Sequence, residues 1–296
     1  MESHRFRESK EREVAFFGGT FTRLSRDKMK EFLETVRPYV EKGHFGSVRI
    51  STRPDEIDEE RLDLLKRFYV GTVELGVQSM DDEVLRLSGR GHCANDTVQS
   101  MDLLKKYGFK TGVQLMPGLP GDSEETFQRG VEKIVSLRPD MARLYPAIVI
   151  RGTKLADWLE SGRYRPLSLS DAVRICSDSC MYMESRNIPV IRIGLMSSPS
   201  LLREGQILAG PWHTAFGFLV RSDIHQKRIH RFLPRYGTAS EIGIRAPDRE
   251  IPLVRGYENL GIREIEEKTG AKVRFVRPDD AVSSGSITVE KLQVMQ

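Results

Sequence analysis

Short apolar runs alternate with amphipathic stretches from residue 14 to residue 195. Val14-Ala15-Phe16-Phe17, Ser47-Val48-Arg49-Ile50-Ser51, Val73-Glu74-Leu75-Gly76-Val77-Gln78-Ser79, the start of Gln114–Gly121, Met141–Ile150 and Pro189–Leu195 each read as a buried strand. Between them, apolar residues recur every three or four positions. Met29, Phe32, Leu33 and Val36 follow a Ser25 cap and end or kink near Pro38; Leu62, Leu65 and Phe68 follow Asp58. Val98, Met101, Leu104 and Tyr107 form the stripe of a helix over Asn95–Tyr107, capped by Asn95 and closed by Gly108. Phe127, Val131, Ile134 and Val135 follow a capping box with Asp122 as cap and Glu125 as its partner, and Ala172, Ile175, Cys176 and Met183 follow Ser168 and Asp171. Six strands, each but the last followed by a helix across a short connection, predict a parallel α/β fold: a partial (β/α) barrel of about six strands, or an open half-barrel. Such folds present functional groups at the carboxyl ends of their strands, which places the working edge within Val73–Gly121.

The pattern changes beyond Ser197. Leu208–Phe218 is dense in aromatic and small residues, and Arg221–Arg235 carries Arg221, Lys227, Arg228, Arg231 and Arg235. A helical stretch, Tyr257–Thr269, lies among strand candidates at Ser240–Ile244, Lys272–Val276 and Ser286–Lys291, so residues 1–196 are expected to form the barrel and 197–296 a small α+β extension.

Composition narrows the class. Of 296 residues, 39% are hydrophobic and 30% charged, and the longest apolar runs fall well short of the ~20 residues of a membrane helix. Met1–Glu13 is polar, helical or frayed, and lacks the apolar core of a secretory signal, so the cytoplasm is expected and no membrane partner. The formal net charge of +4, with both signs well mixed, does not by itself indicate nucleic acid. The basic run from Arg221 to Arg235 reads as a solvated face, with RNA phosphate contact as the alternative. The three cysteines, Cys93, Cys176 and Cys180, are too few and too scattered for a disulfide framework; Cys176 and Cys180 read as small buried thiols. His92 and His213 read as ordinary hydrogen-bonding residues. Gly18-Gly19 ends a strand, where bare backbone suits either a plain turn or the close approach of a ligand.

Six motifs follow one another in order: Gly18-Gly19-Thr20, Thr52-Arg53-Pro54-Asp55, Leu75-Gly76-Val77-Gln78-Ser79, Gly89-Arg90-Gly91-His92, Leu115-Met116-Pro117-Gly118-Leu119-Pro120-Gly121 and Val149-Ile150-Arg151-Gly152-Thr153. Their order and approximate spacing resemble those of radical S-adenosylmethionine (SAM) enzymes, in particular the elongator catalytic subunit and proteins akin to oxygen-independent coproporphyrinogen oxidase. The resemblance covers roughly residues 13–195, and Gly210-Pro211-Trp212-His213 resembles the small C-terminal domain of a bacterial subgroup. It implies SAM as cofactor. Gly18, Gly19 and Thr20 would hold the amino group, Thr52 and Arg53 the ribose or methionine part, Gln78 and Ser79 a further polar contact, and Arg90 the carboxylate. Leu115, Met116, Pro117 and Gly118 would flank the adenine. A zwitterionic ligand needs acceptors for its ammonium and a donor fork for its carboxylate, so these residue types suit the task.

The resemblance also implies a four-iron four-sulfur cluster, an electron donor as partner, and reductive cleavage of SAM to a deoxyadenosyl radical that acts on an unknown substrate. Here the chain departs from the family, whose cluster is held by Cys-x-x-x-Cys-x-x-Cys upstream of the segment matching Gly18-Gly19. No cysteine precedes Gly18. The chain is therefore expected to lack the cluster loop and the first barrel strand, and to be inactive as it stands. The alternative is a cluster-free protein that binds SAM, a nucleotide or RNA on the same barrel.

Overall fold

Six parallel strands lie side by side in chain order: β1 (Glu13–Phe16), β2 (Ser47–Thr52), β3 (Val70–Gln78), β4 (Lys110–Leu115), β5 (Met141–Leu144) and β7 (Val190–Ile193), with the two-residue β6 (Val149–Ile150) standing apart from the sheet. The structure, a computed structural model, describes residues 12–196, 198, 199 and 201–293; the expectation for Met1–Glu13 falls almost wholly outside them. Helices α1 (Arg26–Glu41), α2 (Glu59–Arg67), α3 (Asp82–Leu87), α4 (Ala94–Lys106), α5 (Glu124–Leu137), α6 (Lys154–Glu160) and α7 (Leu169–Glu184) follow the strands, and the sheet curls into a half-barrel.

The curl follows from two-sided patterning. In β3, Val73, Leu75 and Val77 pack into the helix layer, while Glu74 and Gln78 alternate with them. Leu33, Ile50, Leu65, Leu104, Ile134, Leu144 and Met183 complete that core and are fully buried, each stabilising the fold by ~1.5–3 kcal/mol.

Helix starts follow the sequence signals in part. Ser25 and Asp58 cap α1 and α2 through the Lys28 and Arg61 amides. Asp122 does not cap α5: Ser123 does, its Oγ accepting from the Thr126 amide at 3.1 Å, because the Asp122 carboxylate is turned back onto the Gly118 amide at 3.0 Å. Likewise α4 begins one residue before Asn95, its start closed by Asp96 Oδ2 accepting from the Cys93 amide at 2.7 Å. The expected strand Met141–Ile150 is split at Tyr145-Pro146, where proline offers no backbone donor.

Residues beyond the barrel form an α+β arrangement. β8 (Ile207–Ala209) pairs antiparallel with β6. After α8 (Phe216–Ile229) come β9 (Glu241–Ala246), α9 (Ile251–Arg255), α10 (Leu260–Thr269), β10 (Lys272–Pro278) and β11 (Thr288–Gln293); β9 is central, parallel to β10 and antiparallel to β11. The helix expected from Tyr257 begins at Leu260, since Glu258 and Asn259 are left-handed. Helix α8 belongs to both cores. Phe216, Val220 and Ile224 pack with the barrel, and Ile229 packs with Ile242, Ile244, Val254 and Ile265 of the smaller one.

Candidate functional site

A cavity of about 840 Å³ opens at the carboxyl ends of the strands, within the ~300–1,000 Å³ typical of small-molecule sites. Strand ends supply Gly18, Gly19 and Thr20 after β1, Ser51, Thr52 and Arg53 at β2, Glu74, Gly76 and Gln78 on β3, and Gln114, Arg143 and Arg192 from β4, β5 and β7. Gly89, Arg90 and His92 enter from the connection between α3 and α4.

The floor is an ionic ladder. Glu13 on β1 pairs with Arg49 on β2, Arg49 with Glu74 on β3, and Arg143 Nη2 on β5 donates to Glu74 Oε1 at 2.8 Å. Gly112 on β4 makes the crossing possible: a Cβ there would sit 2.8 Å from Glu74 Cγ. Burial works against ionised Glu13, but hydrogen bonds from Thr72 and Arg49 outweigh it and hold the carboxyl below its usual range.

Gln78 ends β3 in the left-handed region, at φ 67°, an uncommon place for a residue with a side chain. Its Oε1 accepts from Gln114 Nε2 at 3.1 Å, which turns two amides into the cavity wall. His92 fixes the same turn by bonding through Nε2 to the Val77 carbonyl at 3.0 Å, a hydrogen-bonding role.

Arg90 is the outlier. Among the described residues its Nε is buried without a partner, and its Nη2 meets only the Met116 sulfur, at 3.3 Å. Burial alone pushes its pKa down, because no carboxylate offsets the lost hydration. Arg53, by contrast, is held by Asp55, with Nε 2.8 Å from Oδ1.

Seven of the twelve residues singled out from sequence therefore line one cavity: Gly18, Gly19, Thr20, Thr52, Arg53, Gln78 and Arg90. Five do not. Ser79 is buried and caps the Asp81 amide; Leu115 is in the helix-side core; Met116 backs Arg90 from outside the lining; Pro117 is buried behind it. Gly118 is pinned by Tyr164, whose hydroxyl donates to its carbonyl at 2.6 Å, and by Asp122. Sequence reasoning passed over Glu74, Arg143 and Arg192; the available signal was a single charge set inside each otherwise apolar strand.

Asp122 carries a prediction. Burial leaves its Oδ1 without a partner and pushes the carboxyl up to about 6. With the folded value above the ordinary one, its contribution is complete below about pH 4 and is lost as pH rises through 6. Asp122→Asn should therefore gain in melting temperature relative to the parent as pH is raised from 4 to 7; thermal melts across that range would show a flat difference if the carboxyl were solvated.

Cys176 and Cys180 are buried in α7, burial pushing Cys180 up to about 12, whereas metal binding and nucleophilic attack need a thiolate. Cys93 lies at the start of α4. Among the described residues no three His, Cys, Asp or Glu side chains converge as a metal set, and no helix is long and apolar enough to cross a membrane. Within the basic run, Lys227 pairs with Asp178 and Asp223, and Arg221 with Glu184.

The model of the radical SAM superfamily matches residues 2–134, and that of the radical SAM C-terminal domain matches residues 139–226. A tRNA uridine(34) acetyltransferase of Methanocaldococcus infernus is 37% identical over 131 residues, which cover 43% of this chain and 24% of that protein. Elongator complex protein 3 of Mus musculus is 31% identical over 187 residues, covering 55% of this chain and 34% of the relative. The matched stretch thus spans about a quarter to a third of these relatives' length. Among solved structures, archaeal Methanocaldococcus infernus Elp3 with an N-terminal deletion superposes with a TM-score of 0.62 at 27% identity, over 74% of this chain and 55% of that one.

Proposed function

Because the chain belongs to the radical SAM superfamily, whose general reaction is cleavage of SAM with a four-iron four-sulfur cluster, we propose that the cavity at the strand ends binds SAM. The observation that carries this reading is Arg90, a half-buried guanidinium whose buried Nε has no partner and which has no acidic partner among the described residues; such a group suits a ligand carboxylate. The bare backbone at Gly18 and Gly19 gives carbonyls to the ammonium, Gln78 and Gln114 supply donors and acceptors in the wall, and Thr52 and Arg53 flank the ribose or methionine part. Leu115, Pro117 and Gly118 support the wall from behind.

The described cysteines do not fit a cluster: two are core thiols on one helix and the third is on another. Anaerobic reconstitution of the full chain with iron and sulfide should leave iron well below four atoms per chain; a stoichiometric cluster would overturn this part of the reading. The tRNA in the acetyltransferase relatives' name makes RNA the second reading. It requires salt-dependent RNA retention that disappears in Arg228→Ala/Arg231→Ala.

The direct test is SAM binding by equilibrium dialysis. Arg90→Ala should weaken it at least tenfold, since a charge-assisted contact to a carboxylate contributes ~1.5–3 kcal/mol. Equal affinity in the parent and variant would remove SAM from this site.

A further inference from the structure

Four arginines line the main cavity, and the two that have acidic partners, Arg53 with Asp55 and Arg143 with Glu74, leave Arg90 and Arg192. Among the described residues Arg192 has no carboxylate partner. It lies at the half-buried end of β7 and lines a second, adjoining cavity of about 430 Å³ together with His213 and Thr214. Leu195 and Met196 are common to both cavities, so the two spaces meet at Arg192.

Arg90 and Arg192 enter the cavity from different elements. Arg90 comes from the connection between α3 and α4, its Nη2 against Met116 just after β4, whereas Arg192 comes from β7, beyond β5. The second cavity adds donors of its own. His213 Nδ1 accepts from the Ala215 amide at 3.0 Å, so the neutral ring carries its proton on Nε2 and is a donor there. That ring makes a T-shaped contact with Tyr257, with centroids 4.8 Å apart. Arg192, His213 and Thr214, each with a donor to offer, line one small cavity that has no acidic side chain among the described residues of its lining.

We propose that Arg192, with His213 and Thr214, forms a second oxyanion subsite that takes a carboxylate or phosphate of the substrate lying beside SAM. The assignment of this ligand as substrate rests on the SAM reading; the subsite itself rests on Arg192. The planar guanidinium fork suits either anion, since both offer paired oxygens at its spacing.

The test is isothermal titration calorimetry of the full chain with inorganic phosphate and, separately, with succinate, each in the presence and absence of saturating SAM. At least one anion should bind the SAM-loaded chain. Arg192→Gln should weaken that binding at least tenfold and leave SAM affinity within twofold of the parent. Arg192→Lys, which keeps the charge and loses the fork, should give an intermediate loss and guards against misfolding as the cause. Binding of phosphate alone or of succinate alone supports the subsite and identifies its ligand class. Absence of binding by both anions, parent-like anion binding in Arg192→Gln, or a tenfold loss of SAM affinity in that variant overturns it. Failure of the SAM reading shows separately, as unchanged SAM binding in Arg90→Ala, and the titrations without SAM still report on Arg192.

Discussion

Glu74→Ala is expected to destabilise the barrel by about 3–5 kcal/mol, the cost of leaving buried charges without their counter-ion. The Glu74 side chain is 5% exposed and is shared by Arg49 and Arg143, themselves 16% and 17% exposed. Removing it strands two half-desolvated guanidinium groups across the middle of the sheet. Arg143 has Tyr145 and Arg49 has Glu13 in compensation, so each keeps one polar neighbour. Urea unfolding followed by circular dichroism measures the loss; a change below 1 kcal/mol would mean that water enters the ladder freely. Acid should erode the outer rung as well. With the Glu13 carboxyl below its ordinary value in the folded state, its contribution is present above the unfolded value, about pH 4.5, and is lost as pH falls through the folded one.

Gly261→Ala is the second large effect, with an expected cost of about 3 kcal/mol. A Cβ at this position would lie 2.4 Å from the Val254 carbonyl oxygen and 2.4 Å from Gln226 Nε2, and Gln226 itself donates to that carbonyl at 2.8 Å. The first obstacle is backbone, so no side-chain rotation relieves it. Gly19→Ala, where a Cβ would meet nothing within 4 Å, is the stability control and should stay within about 0.5 kcal/mol of the parent. Equal unfolding midpoints for the two variants would show that α9 and α10 separate at little cost.

The barrel was legible because its helix-facing residues obey simple periods: Val73, Leu75 and Val77 alternate along a strand, and Leu62 and Leu65 repeat along a helix. The cavity was legible where chemistry coincided with a turn, as at Gly18-Gly19 and Arg90. It was hidden where a polar residue occupied the inner face of a strand. Glu74 and Arg143 find their partners on other strands, at separations of 25 and 69 residues, which no local pattern encodes. The placement of Leu115 and Pro117 outside the cavity lining has the converse cause. Motif order placed them beside a ligand, but strand alternation turns Leu115 toward the helices. The Asp122 cap failed because a carboxylate one residue from a helix start had a competing amide, that of Gly118, within reach.

Helix α8 has 14 residues, a rod of about 21 Å at ~1.5 Å per residue. Phe216 at one end packs against Gly194 at the cavity rim, and Ile229 at the other is clamped in the small core. A shift of this rod along its axis would alter the packing beside Gly194 and the packing around Ile229 together.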